Sequence, residues 1–210
     1  MAEQSLILLV ITVALALIYA YSNGLNDAAN ALATVVATRA MSPTAAVIMG
    51  GTMNLAGALT GTAVAKTIGK GIVDPEFMTQ AAVIAAIAAA VIWVLFATKS
   101  GLPVSVSHSL VAGVLGSGIA VAGINKINAT VMGKVLMALA ISPLLGFAGA
   151  FISMVALYWL LHRSNVSTIN TFFSKLQILS AALLSYSHGK NDAQNAVGII
   201  ALGWAVYYSS

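Results

Sequence analysis

The sequence predicts an all-α membrane protein, a polytopic transmembrane helical bundle with interrupted helices and a re-entrant hairpin. Three observations carry that prediction. The 210 residues are 60% hydrophobic and 7% charged, with a mean hydropathy of +0.98, whereas a soluble domain carries roughly a quarter charged residues. The apolar residues come in long runs, whose backbone groups can be satisfied in hydrocarbon only within helices. A polar segment recurs inside such runs, as SNGLNDAANA at 22–31 and SHGKNDAQNA at 187–196, identical at seven of ten positions.

Taken in order, a first span runs from about Ser5 to Tyr21, is interrupted by the polar segment, and resumes as an Ala-rich helix from Asp27 to about Thr38. With Glu3 and no basic leader or small-residue cleavage pattern, this start reads as a retained helix rather than a signal peptide. Ser42-Pro43 opens the second span, with Pro at a first-turn position where its missing N–H is harmless. That span continues to about Ala65, and Gly50, Gly51, Gly57 and Gly61 allow close helix packing. The stretch KTIGKGIVDPEF is a polar loop, followed by a clean apolar span from about Met78 to Ala97 that Lys99 ends.

In SGLPVSVSHSLVAGVLGSGIAVAG, Pro103 and a cluster of hydroxyls precede a Gly-rich apolar helix. That composition suits a re-entrant hairpin, whose irregular backbone needs protein or a wet cavity around it. The apolar stretch from Val131 to Leu161 exceeds the roughly 20 residues needed to cross a bilayer. Ser142-Pro143 breaks it, leaving either one tilted, kinked helix or two shorter pieces. The polar linker HRSNVSTINT leads to a last apolar segment, the second motif copy, and WAVYYSS, where Trp204, Tyr207 and Tyr208 suit a membrane interface.

The nine Lys and Arg residues fall mostly in short polar breaks on both sides, so they form no nucleic-acid patch and assign no orientation. The absence of cysteine excludes disulfides, thiol catalysis and thiolate metal sites.

Of the five acidic residues, Glu3 lies at the terminus and Asp74 and Glu76 in a loop, which leaves Asp27 and Asp192, one per motif copy, at membrane depth. An Asp at a helix centre costs about 2.5 to 3.5 kcal/mol on insertion scales, so two of them require compensation or a function. On a helix Asn26 and Asn30 share a face with Asp27 nearby, and Asn191, Asp192 and Asn195 repeat the pattern. Such hard oxygen donors suit a small cation such as sodium, or the Asp alone can carry a proton; they do not suit zinc or copper. Gly24 and Gly189 let the backbone turn, and a helix starting there points free N–H groups at a cavity. The minority alternative for a single copy is a helix cap or an interhelical clasp. Matched polar interruptions in two halves of a chain instead mark a midplane transport site at a repeat interface.

In LPVSVSHSL, Ser105, Ser107 and Ser109 alternate, and His108 adds a donor at a helix start, a combination suited to a tetrahedral oxyanion. The alternative is a capped helix start whose serines bond their own backbone. Nothing resembles a nucleophile elbow, so the chain is not expected to be an enzyme. His188 either lines the site or simply stands in for Asn23. Lys190 either attracts an anion, pairs with Asp192 or snorkels to the interface.

The two Gly-x-Asn-Asp-Ala-x-Asn segments, the intervening GLPVSVSHSLVAGVLGSGIA and the stretch AISPLLGF at 140–147 together resemble the PiT family of inorganic phosphate transporters. The resemblance implies an inverted-repeat symporter in the plasma membrane that imports phosphate with sodium or protons by alternating access. It implies phosphate binding by Ser105, Ser107, His108, Ser109, Asn26 and Asn191. It gives the coupling cation, sodium or a proton, to Asp27, Asn30, Asp192 and Asn195. No further cofactor and no nucleic acid is expected, the bilayer is a partner, and a homodimer stays open. A sulfate permease of the same fold and a non-transporting membrane subunit or receptor are the alternatives.

Three departures stand out. Val106 occupies a position where the family often has Thr, and Asn195 one where bacterial relatives frequently have Lys. Family members are also usually far longer and carry a second Pro-x-Ser-x-Ser-His hairpin. The expected organisation is a first transmembrane repeat at 1–165 and the start of a second at 166–210, in a C-terminally incomplete chain.

Overall fold

The computed structural model describes residues 2–209, and side chains from residue 6 onward except those of 166 and 168, so the Glu3 carboxylate lies outside the described groups. Helix α1 spans Ala2–Ala37, α2 Pro43–Thr60 and the short α3 Ala63–Lys66, which passes into a π-helical turn over Thr67–Gly71. A 3-10 turn at Pro75–Phe77 precedes α4, Gln80–Lys99, and α5, Val106–Ala122; a second at Ile124–Lys126 precedes α6, Ala129–Leu161. Helix α7, Val166–His188, runs through a π-helical turn at Gly189–Ala193 into α8, Gln194–Ser209. Among the described residues there is no strand, only an isolated bridge between Val73 and Ile127.

Among the described residues three helices, α1, α4 and α6, are long and apolar enough to cross a membrane. The pair formed by α2 and the α3 segment adds a fourth if its 57° bend lies within one span. The chain is an all-α membrane protein, as its composition predicts. Helix α4 is the centre of the bundle: Val83, Ile87 and Val94 are fully buried against α1 and α5, and Ile199 and Leu202 of α8 join the same core. A second contact layer joins α2 to α7. Helix α6 stands apart, with no buried residue.

Several boundaries differ from the sequence reading. The first motif does not interrupt its helix. The Ser22 hydroxyl donates to the Ile18 carbonyl (2.9 Å) and the Asn26 amide to the Ser22 carbonyl (3.0 Å), so these polar groups are satisfied inside α1 without breaking it. The second span stops at Thr60 rather than Ala65, bending at Gly61-Thr62. KTIGKGIVDPEF is not a solvated loop: Ile68, Ile72 and Val73 are buried in the core, and apolar burial outweighs the local polarity of its lysines. The stretch around Pro143 is one helix, α6, with Pro143 inside it. Six of the ten residues of the polar linker are helical, because Asn165 caps α7 by accepting from the Ser167 N–H at 3.1 Å. Pro43 does open α2, with Ser42 as its cap.

Candidate functional site

The two motif copies, 165 residues apart in sequence, meet in space. Asp27 projects from the C-terminal third of α1 and Asp192 from the π turn after α7, with His188 between them. The His188 Nε2 lies 3.2 Å from Asp192 Oδ2 and 3.8 Å from Asp27 Oδ2, and ligand atoms of all three residues fall within 4.8 Å of one another. What brings the turn so close to α2 is Gly189, whose Cα rests against the Asn54 backbone where any side chain would overlap the Asn54 carbonyl. Gly57 makes the reciprocal approach to the backbone of Tyr186 and Lys190.

Of the hairpin hydroxyls, only Ser107 reaches this centre. It donates to Asp192 Oδ1 at 3.1 Å and accepts from the Asn195 amide at 2.7 Å, so three predicted site residues form one chain of hydrogen bonds. Ser105 is the cap of α5, accepting from the His108 N–H at 3.4 Å, and the Ser109 hydroxyl donates to the Ser105 carbonyl at 2.8 Å. Those two serines bond their own backbone, as a capped helix start would have them do. Tyr19 of α1, fully buried, donates to the Val106 carbonyl at 3.0 Å and ties the hairpin helix to the first motif helix.

The remaining amides are dispersed. The Asn26 side-chain oxygen accepts from the Thr98 hydroxyl at 2.8 Å, on the α4 side. The exposed Asn30 amide donates to Asp27 Oδ1 at 3.2 Å, so it offers that carboxylate a donor rather than a second oxygen. Asn191 donates to the Ser187 carbonyl at 2.9 Å. Lys190 makes no ion pair with Asp192 among the described residues, and its stem lies beside Gly61.

Among the described residues, two cavities adjoin the centre and a third lies against the hairpin helix start, sharing only His108 with them. One of about 530 Å³ is walled by Ser107, His108, Asn191, Asp192 and Asn195 on one side and by Leu139, Ser142 and Pro143 of α6 on the other. Proline leaves the carbonyl four residues earlier, that of Leu139, without its helical donor, so this wall is polar as well as apolar. One of about 180 Å³, between α1, α2 and α7, is lined by Asp27, Asn54, Ser185 and His188. A third, of about 580 Å³, lies against Trp93, Pro103, Ser105, His108 and Ser109. His108 borders the first and third, and Ser105 and Ser109 face only the third.

Several participants were not singled out in the sequence. Asn54 hydrogen-bonds His188, with its Nδ2 2.9 Å from Nδ1, and Ser185 has a buried hydroxyl without a protein partner on the small-cavity wall. Asn23 reaches the Asp192 carbonyl at 3.5 Å. The available signal for Asn54 was a lone amide inside the otherwise apolar PTAAVIMGGTMNLAGALT.

The model of the Phosphate transporter family matches residues 23–210. A Bacillus subtilis (strain 168) protein named "Probable low-affinity inorganic phosphate transporter" is 42% identical over 199 residues, covering 94% of this chain and 60% of that protein. A protein of the same name from Rhizobium meliloti (strain 1021) is 39% identical, covering 93% and 59%. The chain thus spans about three-fifths of the length of these two relatives. A Streptomyces halstedii protein of that name is 36% identical, over 89% of this chain and 87% of its own. A solved structure described as "The sodium-dependent phosphate transporter" superposes with a TM-score of 0.78 at 26% identity, covering 95% of this chain and 68% of that one. These relatives are named as transporters rather than enzymes. Matched along nine-tenths of its sequence by one family's pattern, and with both Asn-Asp copies converging in an all-helical apolar bundle, this integral membrane protein belongs to the phosphate transporter family.

Proposed function

We propose that the chain is part of a secondary active symporter that imports inorganic phosphate together with sodium, by alternating access to a site built on Asp27, Asp192 and Ser107. The observation that carries this reading is the convergence of the two motif carboxylates with Ser107 hydrogen-bonded to one of them. Two ionised carboxylates whose oxygens lie within 4.8 Å repel by roughly 3 kcal/mol at an effective dielectric of about 20, and each would repel phosphate as well. A cation bound between them removes both penalties, which makes anion entry conditional on cation entry; that conditionality is symport. Sodium is favoured by the free Ser185 oxygen on the small-cavity wall beside Asp27, and by the solved relative, which is described as sodium-dependent. In this reading the cation occupies the smaller cavity. Phosphate occupies the larger one, with Ser107, His108, Asn191 and Asn195 as donors.

The test is uptake of radiolabelled phosphate into proteoliposomes under imposed sodium or proton gradients, with sulfate as competitor. Sodium-driven uptake that excess sulfate leaves intact is the expected result. Uptake indifferent to sodium sinks the coupling assignment, preferential sulfate uptake sinks the substrate assignment, and the absence of any uptake sinks both.

A further inference from the structure

We propose that Asn54, on α2 and outside both motif copies, is a positioning residue for cation coupling: its amide fixes the tautomer of His188 and aims the other ring nitrogen between Asp27 and Asp192. The transport arm of this inference rests on the symport reading above; its structural arm does not.

The Asn54 Nδ2 lies 2.9 Å from His188 Nδ1. A carboxamide nitrogen only donates, so Nδ1 accepts and the proton of the neutral ring resides on Nε2. That proton faces two carboxylates, 3.2 and 3.8 Å away, yet Nε2 is buried and makes a well-directed hydrogen bond to neither. Turning the amide over would place the ring proton on Nδ1 and point a bare lone pair at both carboxylates, an arrangement that electrostatics disfavours. Asn54 and the carboxylate pair therefore select the same tautomer independently. The distance between them is also fixed by packing, since Gly189, next to His188, rests directly on the Asn54 backbone.

This placement has a functional consequence. Asp27 lines the small cavity with Asn54, Ser185 and His188, whereas Asp192 lines the large cavity with Ser107. His188 lines the small cavity and reaches from it to within 3.2 Å of the Asp192 carboxylate, which lines the large one. One N–H serves one carboxylate well at a time, so a cation held by Asp27 leaves the His188 proton to Asp192 and to the phosphate side. The imidazole then carries the occupancy of one cavity to the other, and Asn54 keeps it in register. Outer-shell partners of this kind typically change cation affinity by about tenfold to a hundredfold when removed.

The experiment uses the reconstituted protein with Asn54→Leu, close in shape but unable to donate, and Asn54→Asp, which accepts only and draws a second proton to Nδ1. Nitrogen-15 spectra of labelled histidine, assigned by comparison with His188→Gln, report the tautomer directly. The expected result is the Nε2–H form in the parent, the same tautomer with a shifted Nδ1 resonance in Asn54→Leu because Nδ1 has lost its donor, and a ring protonated on both nitrogens in Asn54→Asp. In liposomes the half-saturating sodium concentration rises by about tenfold in Asn54→Leu, while the phosphate KM measured at saturating sodium stays at the parent value. A parent His188 protonated on Nδ1, or a transporting Asn54→Leu with unaltered sodium dependence, overturns the proposal. If the parent takes up no phosphate, the transport reading fails alone and the spectra still decide the positioning claim.

Discussion

Gly24 and Gly189 occupy the same place in the two motif copies, yet replacing each by Ala should move stability in opposite directions. At Gly189 a Cβ would overlap the Asn54 carbonyl and approach the Asn54 Cα to 2.7 Å, all of it backbone that cannot rotate away. Helix α2 and the π turn would have to part by about an ångström or more, loosening the reciprocal contact of Gly57 with Tyr186 and Lys190. Overpacking of this kind costs about 1 to 3 kcal/mol. At Gly24 nothing lies within 4 Å of the added Cβ and α1 runs straight through, so Ala gains about 1 kcal/mol of helix propensity. The two variants should therefore differ by roughly 2 to 4 kcal/mol. Thermal unfolding of detergent-purified protein, followed by the monodisperse fraction surviving size exclusion, reads the difference. Equal loss in both variants, or a Gly189→Ala protein as stable as the parent, would refute the claim that a glycine-to-backbone contact holds the second motif in place.

Asp27→Asn and Asp192→Asn keep shape while removing charge; each should abolish sodium stimulation of phosphate uptake in liposomes without loss of folded protein. Ser107→Ala leaves the buried Asn195 amide without its acceptor and should destabilise by about 1 to 3 kcal/mol, whereas Ser109→Ala gives up one bond to the Ser105 carbonyl and should cost about 1 kcal/mol or less, both read by thermal unfolding. Tyr19→Phe retains the ring in the core and removes only the bond to the Val106 carbonyl, for a loss of about 1 kcal/mol on the same assay. Gln80→Leu breaks the 2.6 Å bond that ties α4 to the Gly203 carbonyl of α8 and should lower the unfolding temperature more than Tyr19→Phe does.

The helical membrane architecture was legible because composition and run length leave few other ways to satisfy an apolar backbone. The pairing of Asp27 with Asp192 was legible for a related reason: two carboxylates at depth, in matching sequence contexts, demand a common explanation. What escaped the sequence depends on which neighbour each side chain finds. Nothing in VSVSHS says that Ser107 turns to another helix while Ser105 and Ser109 turn inward, because all three can bond the local backbone equally well. Asn54 escaped because a lone amide carries no periodic signal; only the approach of Gly189 to α2 puts His188 within its reach. The polar look of KTIGKGIVDPEF misled for the opposite reason, since its Ile68, Ile72 and Val73 are the core contacts and its lysines are bystanders.

The same ten-residue pattern takes two backbone conformations, and this asymmetry organises the site. In α1 the motif stays α-helical, so Asn30, three residues after Asp27, returns to that carboxylate at the exposed surface. After α7 the chain widens to a π turn over Gly189–Ala193, which accommodates one extra residue per turn and rotates the following helix by about 100° relative to a straight continuation. Asn195, three residues after Asp192, is thereby buried and directed to Ser107. The glycine is common to both copies, but only Gly189 has a helix pressed against it, so tertiary contact rather than local sequence selects the wider turn. Two near-identical segments are thus made inequivalent. One carboxylate faces the small cavity with its amide outside, the other is tied to the hydroxyl hairpin beside the large cavity. On the symport reading proposed above, this inequivalence gives the cation and the anion separate places beside linked carboxylates.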